Sequence, residues 1–329
     1  MRVVAAPDKF KGTATAWEVA AAIAAAVEEA GGRCDQVPVA DGGEGTLDAL
    51  GGPNRTTTVV GPLGDPVSAR WQLRRGRAVI EAAEASGLLL VGGAEGNDAV
   101  AASTYGTGEL IAAAVEGGAR RIIVGVGGSA TTDGGLGALR ALYPPQRLKG
   151  VELVVACDVR LHFVDAAEVF APQKGASAAQ VELLRRRLES LADGYQRDYG
   201  VDVRGLEGGG AAGGLAGGLA AIGADLQSGF DVVADEVGLA DVVDGADLVV
   251  TGEGFLDAES FDGKVVGGVV DLAGELGVPV LAVVGEAFDG AEVRVPTVSL
   301  VERFGRQRAL HDTLACVGEA VAAELAARA

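Results

Sequence analysis

Acidic and basic side chains follow several short apolar runs that are typical of buried strands. These residues are Asp8, Lys11, Asp41, Asp158 and Glu253. A single acid after a strand is more often a helix cap or a turn former. Several at equivalent strand ends favour a shared site, where carboxylates could bind Mg²⁺ or accept a hydroxyl proton. That is the chemistry of phosphoryl transfer, which needs charge neutralisation and positioning.

The segment VGGSATTDGG at 126–135 has the composition of an anion-binding loop. Gly127 and Gly128 would let backbone N–H groups converge, and Ser129 and Thr131 would add hydroxyl donors before a helix. A simple tight turn explains the pattern equally well. The loop GGGAAGG at 208–214 could bind a nucleotide in the same way, but close packing of backbone is the favoured interpretation.

Two lysines, Lys174 in PQKG and Lys264 in FDGK, are candidate partners for a phosphate or carboxylate. The alternative for each is a solvated turn lysine, which is less favourable for Lys264 because it stands at a predicted helix start. His162 and His311 have no neighbouring Cys or His, so we expect both to be structural.

Composition excludes several classes of protein. The net charge of −19 repels nucleic acid and anionic lipid, and the one basic run, Arg185 to Arg187, falls on the solvated face of a predicted amphipathic helix. No G-x-x-x-x-G-K-[ST] motif is present, and no G-x-G-x-x-G follows the first strand. The three cysteines lack metal-binding spacing, and the N-terminus lacks a signal-peptide core. We therefore expect a cytoplasmic protein with no nucleic-acid or membrane partner.

Periodicity predicts an α/β fold. A strand at 2–6 precedes a helix at 16–30 with a Thr15–Glu18 capping box, and a second strand near 35–40 precedes DGGEGT and a further helix. Residues 56–82 indicate a β-meander, and strand–helix alternation then resumes. We predict two α/β domains with mostly parallel sheets, one of them Rossmann-like or flavodoxin-like. Residues 1–55 and 240–329 would form one domain, residues 56–239 an inserted domain, and the active site would lie in the cleft between them.

Seven ordered segments resemble the class I glycerate kinases across nearly the whole chain. They are APDKFKGT (6–13), VADGGEGT (39–46), STYGTGELI (103–111), VGGSATTDGG (126–135), PQKGA (172–176), GGGAAGGL (208–215) and TGEGFLD (251–257). The resemblance implies transfer of the γ-phosphoryl of ATP to D-glycerate, usually at the 2-hydroxyl, by two α/β domains. The stretch from Leu136 to Gly150 is shorter than in that family, and residues 160–163 replace its usual Asp-Asn-Pro segment.

Within the matching motifs, chemical reasoning assigns a role to each candidate residue. The expected catalytic residues are Asp41, as base, and Lys11. The expected substrate or phosphate ligands are Asp8, Gly127, Gly128, Ser129, Thr131, Lys174, Glu253 and Lys264. The expected Mg²⁺ ligands are Asp133 and Asp158. The carboxylate of glycerate would bind near Gly128 and Ser129.

Two alternatives stay open at this point. The replaced residues at 160–163 are compatible with a catalytically weak homologue that binds an organic acid or nucleotide in a regulatory role. They are also compatible with a kinase of another small hydroxy acid. A homo-oligomer is compatible with the sequence as well.

Overall fold

A computed structural model describes residues 1–261, 263–288 and 294–328. The chain forms two compact units, which we name for their place in the sequence. The terminal unit comprises Met1–Asp41, Asp48–Leu50 and the described residues from Gly229 onward, and the central unit comprises Gly42–Leu47 and Gly51–Ser228. Both are α/β, as predicted. The division into separately folding domains at residues 55 and 239 stays a prediction.

The terminal unit is built on a parallel sheet. Its strands are β1 (Arg2–Ala5), β2 (Arg33–Gln36), β9 (Leu248–Thr251), β11 (Val280–Val284) and β13 (Thr297–Ser299), in the order β13-β11-β9-β1-β2. A small parallel pair joins β10 (Phe255–Leu256) to β12 (Glu286–Ala287). The helices are α1 (Ala16–Glu29), α9 (Gly229–Val237), α10 (Leu239–Val243), α11 (Val265–Glu275), α12 (Leu300–Phe304), α13 (Arg306–His311) and α14 (Thr313–Arg328).

Several elements of this unit agree with the sequence pattern. All five residues of β11 are buried, as expected for a parallel strand covered on both faces. The predicted capping box of α1 is confirmed, with Thr15 accepting from the Glu18 N–H. The second strand ends earlier than predicted. Val37 still donates to the Ala5 carbonyl, but Pro38 has no N–H, so the regular ladder stops at Gln36.

The central unit contains a mixed sheet in sequential order. Its strands are β3 (Arg55–Val60), β4 (Pro66–Arg74), β5 (Arg77–Glu81), β6 (Arg121–Gly125), β7 (Glu152–Ala156) and β8 (Asp225–Gln227). The pairs β3–β4 and β4–β5 are antiparallel, which confirms the predicted meander, and the remaining pairs are parallel. The parallel strands bring the loops after β5, β6 and β7 to one edge of the sheet.

The helices of this unit cover the sheet and carry its apolar core. They are α3 (Ala83–Ser86), α4 (Tyr105–Glu116), α5 (Leu136–Leu142), α6 (Ala166–Phe170), α7 (Ala178–Tyr199) and α8 (Ala211–Ala221), and α2 (Thr46–Ala49) contributes residues to both units. The helix predicted after DGGEGT is only this single turn. On α7 the predicted capping box of Ser177 and Gln180 is confirmed. Arg185 and Arg186 pair with Glu182 along its solvated face, as predicted.

The loop GGGAAGG packs against another backbone segment of the central unit. Ala212, Gly213 and Gly214 all have left-handed φ angles, and Gly134 donates its N–H to the Gly213 carbonyl at 3.0 Å. A Cβ on Gly213 would lie 2.0 Å from the Thr131 carbonyl oxygen. Glycine is therefore required here for close packing, which was the favoured prediction. Among the described residues, no helix is both long and apolar enough to cross a bilayer.

Candidate functional site

The segment between β6 and α5 contains a loop whose backbone N–H groups are available to a ligand. We call residues 127–132 the cradle loop. In the described part of the chain, the N–H groups of Gly127, Gly128 and Ser129 donate to no other group. The loop is tied to its neighbour by Ala130 N–H to the Ser86 carbonyl at 2.8 Å. Gly128 is exposed and has a φ of 67°, Gly127 is half-buried and Ser129 is buried, so solvent, or an anion, can reach the loop from the side of Gly128.

Another glycine-rich segment of the central unit packs closely against this loop. A Cβ on Gly127 would lie 2.7 Å from the Gly43 Cα, a separation that real side chains do not show. The Gly43 segment is itself held by Glu81, whose Oε1 accepts from the N–H groups of Gly45 and Leu47 at 3.0 and 2.7 Å. Glycine at position 127 is therefore required for the close packing of the two backbone segments.

Lys174 lies beneath the cradle loop and is only 5% exposed. Its Nζ donates to the Ser129 Oγ at 2.9 Å and to the Thr131 carbonyl at 2.7 Å, and it lies 5.8 Å from the Phe170 ring centroid. Burial lowers the pKa of this lysine to about 7, while the negative charge of Asp133 acts in the opposite direction. Lys174 therefore supports the loop from below, and its predicted contact with a bound anion stays a prediction.

The carboxylate of Asp133 is surrounded by donors. It accepts from Thr104 N–H at 2.9 Å, from the Thr104 hydroxyl, and from the N–H groups of Gly135 and Gly137, both at 3.1 Å. Four donors fill the lone-pair sites of a carboxylate. Asp133 thus fastens the start of α4 to the start of α5. Its predicted role as a Mg²⁺ ligand would require the loss of at least one of these hydrogen bonds.

The hydroxyl groups predicted to line the loop differ in their surroundings. The Ser129 Oγ is occupied by Lys174, and the Thr131 Oγ1 lies 3.5 Å from the Ala212 carbonyl, at the limit of a hydrogen bond. The Thr132 Oγ1 is buried and has no partner in the described part of the chain. The predicted contacts of Ser129 and Thr131 with an anion stay predictions.

In the terminal unit, Asp8, Lys9 and Asp41 lie together after β1 and β2. The Lys9 Nζ is 3.5 Å from the Asp8 Oδ1 and 4.0 Å from the Asp41 Oδ1. Asp8 is 6% exposed, and its burial raises the pKa of that carboxyl to about 6. The Asp41 side chain is 28% exposed. Asp41 is thus the member of this group that a substrate can reach more easily.

Glu253 follows β9 in the same unit. One of its carboxylate oxygens is buried without a hydrogen-bond partner in the described part of the chain. Burial raises the pKa of Glu253 to about 7, and the negative charge of Asp8 adds to the shift. Two neighbouring carboxyl groups of the terminal unit therefore change charge close to neutral pH.

The other predicted residues are more dispersed. Lys264 precedes α11 and pairs with Glu259 at 3.5 Å, and Lys11 is exposed. Asp158 follows β7 and is half-buried. Among the described residues, no group of three or more His, Cys, Asp or Glu side chains could hold a metal ion.

The replaced segment at 160–163 contributes its aromatic side chain to the core. Phe163 is fully buried and contacts Tyr195 edge to face, with ring centroids 6.1 Å apart. It fills the space left by glycines, since a Cβ on Gly217 would lie 2.5 Å from its ring. The Leu161 carbonyl accepts from the Gly210 N–H at 2.9 Å. Phe163 is thus a packing residue within the central unit.

Sequence reasoning missed Asn97. Its Nδ2 donates to the Ala130 carbonyl at 3.0 Å and to the Lys174 carbonyl at 2.8 Å, so it touches both the cradle loop and the residue beneath it. The only available signal was its place shortly before the motif STYGTGELI, which by itself indicates a loop.

Comparison with known proteins shows the family of this chain. The sequence profile described as the glycerate kinase family matches residues 3–143 and 144–321, and the chain belongs to this family. It is 39% identical over 333 positions to glycerate 2-kinase of Escherichia coli K12, covering 89% of this chain and 87% of the relative. It is 40% identical over 325 positions to glycerate kinase of Bacillus subtilis 168, covering 87% of this chain and 85% of the relative.

A solved structure shows the same fold. The crystal structure from Salmonella typhimurium LT2 designated glycerate kinase 2 superposes with a TM-score of 0.85 at 34% identity, covering 99% of this chain and 98% of the other. The chain is therefore an enzyme of the kinase class. The alignment with the E. coli relative spans 333 positions, and residues of this chain fill about 293 of them, which is 89% of its 329 residues. About 40 positions of the alignment therefore have no counterpart in this chain. That difference is in keeping with a shortened region.

The buried ammonium of Lys174 predicts a pH dependence of stability. Below about pH 7 the lysine is protonated in both folded and unfolded states, so its burial penalty is fully present. Between about pH 7 and the ordinary value of 10.5, only the unfolded state keeps the proton, so the free energy of unfolding rises with pH. We expect the difference between wild type and Lys174→Met to rise by on the order of 1 kcal/mol per pH unit in this window.

Urea unfolding at a series of pH values measures this difference. The exposed Lys149 supplies the control, since Lys149→Met should show no such trend. A difference between wild type and Lys174→Met that stays constant from pH 6 to pH 10 would contradict the burial of the ammonium group.

Proposed function

We propose that this enzyme transfers the γ-phosphoryl group of ATP to the 2-hydroxyl of D-glycerate, giving 2-phosphoglycerate and ADP. The observation that carries the proposal is the cradle loop, with three adjacent unpartnered N–H groups above a buried lysine. Family membership and the names of the relatives support glycerate as the acceptor. A bond forms between the glycerate oxygen and the γ-phosphorus, the bond from that phosphorus to the β-phosphate oxygen breaks, and the hydroxyl proton passes to a base.

The carboxylate of glycerate is proposed to bind the N–H groups of Gly127, Gly128 and Ser129. A protein of net charge −19 repels anions at long range, so attraction must be local. Backbone N–H groups supply it without a side chain that could move, and the ammonium of Lys174 adds positive charge beneath them. This arrangement fixes one end of a small hydroxy acid and leaves its hydroxyl groups free to react.

Asp41 is proposed as the proton acceptor. Its side chain is partly exposed and lies 4.0 Å from the ammonium of Lys9. Asp8, in contrast, is buried, and with a pKa near 6 it is partly protonated close to neutrality. A base must reach the hydroxyl, so the partly exposed Asp41 suits the role better than the buried Asp8.

The phosphates of the nucleotide are proposed to bind exposed or partly exposed lysines. Lys11 is exposed and Lys264 is partly exposed, and each can approach a phosphate oxygen. Asp8 and Glu253 are proposed to contact the nucleotide or substrate in their protonated forms.

Mg²⁺ usually binds proteins through one or two carboxylates together with substrate phosphates. The half-buried Asp158 therefore fits as a single ligand, whereas Asp133 has no free lone pair. When bound, the ion would neutralise phosphate charge. A cytoplasmic location stays a prediction.

Phosphorus NMR of the reaction mixture tests the activity and its position together. We expect D-glycerate, ATP and Mg²⁺ to yield ADP and 2-phosphoglycerate, and we expect a panel of other small hydroxy acids to react more slowly. Exclusive 3-phosphoglycerate would reject the position of transfer. Preferred turnover of another acid would reject the substrate, and no turnover on any of them would favour a binding protein.

Substitution of Asp41 tests the proposed base. Asp41→Asn keeps the size and turn-forming ability of the side chain but removes the proton acceptor, so kcat should fall by about 10²–10⁴-fold. The melting temperature and the affinity for ATP should change little. Asp271→Asn, an exposed acid on α11, is the matched control in the same unit and should retain wild-type kcat. Near-normal kcat in Asp41→Asn would exclude Asp41 as the base and direct the search to Asp8.

A further inference from the structure

The amide of Asn97 connects two segments that are distant in sequence. Its two Nδ2 protons go to the carbonyls of Ala130 and Lys174, which lie 33 and 77 residues away. Because both protons are used on carbonyl oxygens, the orientation of the amide is fixed. The Oδ1 then has no donor in the described part of the chain, although it is buried. A buried oxygen without a hydrogen bond lowers the stability of the folded protein, so the two bonds that the Nδ2 donates must offset this loss.

Asn97 and Lys174 together hold three consecutive residues of the cradle loop. Lys174 bonds to the Ser129 hydroxyl and the Thr131 carbonyl through its Nζ, and Asn97 bonds to the Ala130 carbonyl between them. The bond from Asn97 to the Lys174 carbonyl closes the arrangement. The backbone position from which Lys174 extends is thereby linked to the loop that its ammonium group supports.

The bonds from Lys174 and Asn97 to the cradle loop all end on oxygen atoms of the loop. The N–H groups of Gly127, Gly128 and Ser129 are not used, so the loop is held in place while its donors stay available. A flexible glycine-rich segment would otherwise sample many conformations, and binding an anion would have to restrict them. Fixing the loop in advance removes that cost.

We propose that Asn97 is a positioning residue for the acceptor substrate, which orders the cradle loop by hydrogen bonds to Ala130 and Lys174 without touching the substrate. This inference rests on the proposed function, in that the substrate bound by the loop is taken to be the carboxylate of glycerate. Loss of the amide should weaken binding of that carboxylate. It should leave the affinity for ATP and the proton transfer at Asp41 largely intact.

The variant Asn97→Ala tests the proposal, and Asn54→Ala is its matched control. Asn54 also makes amide bonds to backbone in the central unit, donating to the Leu73 carbonyl at 3.0 Å and accepting from the Leu73 N–H at 2.9 Å. For Asn97→Ala we expect the KM for D-glycerate to rise about ten- to a hundredfold, from the loss of two partly buried hydrogen bonds. We expect kcat and the KM for ATP to change less than threefold, and Asn54→Ala to match wild type in all three.

Hydrogen–deuterium exchange measured by mass spectrometry gives a readout independent of activity. The hydrogen-bonded amides at the loop, Ala130 N–H on the Ser86 carbonyl and Leu88 N–H on the Gly128 carbonyl, should exchange at least tenfold faster in Asn97→Ala than in wild type or Asn54→Ala, with the β-strands unchanged. Wild-type exchange together with a wild-type KM for glycerate would overturn the proposal. So would loss of cooperative unfolding, since Asn97 would then be required for the fold as a whole. If wild type fails to phosphorylate glycerate, the proposed function fails, and the exchange result still decides whether Asn97 orders the loop.

Discussion

The ammonium group of Lys174, buried beneath the cradle loop, is the constraint on which the central unit's site depends. Moving such a group out of water costs several kcal/mol, and bonds from a charged donor offset roughly 1.5–3 kcal/mol each. Here the offsetting partners are the Ser129 hydroxyl and the Thr131 carbonyl, so the loop must keep one conformation for the lysine to stay buried. The same conformation leaves the N–H groups of Gly127 and Gly128 without an acceptor in the described part of the chain. Burial of the charge and availability of the donors are thus two consequences of one arrangement.

The opposite charge, on Asp133, fixes the far end of the same segment. Its bonds to Thr104, Gly135 and Gly137 tie the starts of α4 and α5 together, and its negative charge favours the protonated form of Lys174. Lys174 therefore holds the loop at Ser129 and Thr131, and Asp133 holds the segment that follows it, through hydrogen bonds made within the protein. A bound carboxylate would add negative charge above Lys174 and favour its protonated state further. Anion binding and protonation of the lysine should reinforce one another.

Local patterns were predictable from sequence, whereas long-range contacts were not. The capping boxes of α1 and α7, the meander and the glycine-rich loop after β6 depend on neighbouring residues, and each was found where the pattern placed it. The bonds of Lys174 to Ser129 and of Asp133 to Thr104 join residues 45 and 29 positions apart, and no local pattern encodes them. For the same reason Asn97 was missed. The packing of Phe163 against Gly217 was not predictable either, because it becomes visible only in the fold.

In the terminal unit, burial raises the pKa values of Asp8 and Glu253, whereas Asp41 is more exposed and lies beside Lys9. These different surroundings are the reason why Asp41 is proposed as the base and the other two acids as ligands. The central claim nevertheless concerns the cradle loop, as the site that recognises the acceptor. A crystal structure of the enzyme with D-glycerate tests it most directly. We predict the carboxylate oxygens at about 3 Å from the N–H groups of Gly127, Gly128 and Ser129, with Lys174 still bonded to the loop from below. A glycerate carboxylate bound to Lys11 or Lys264, with the cradle loop free of ligand, would contradict the account.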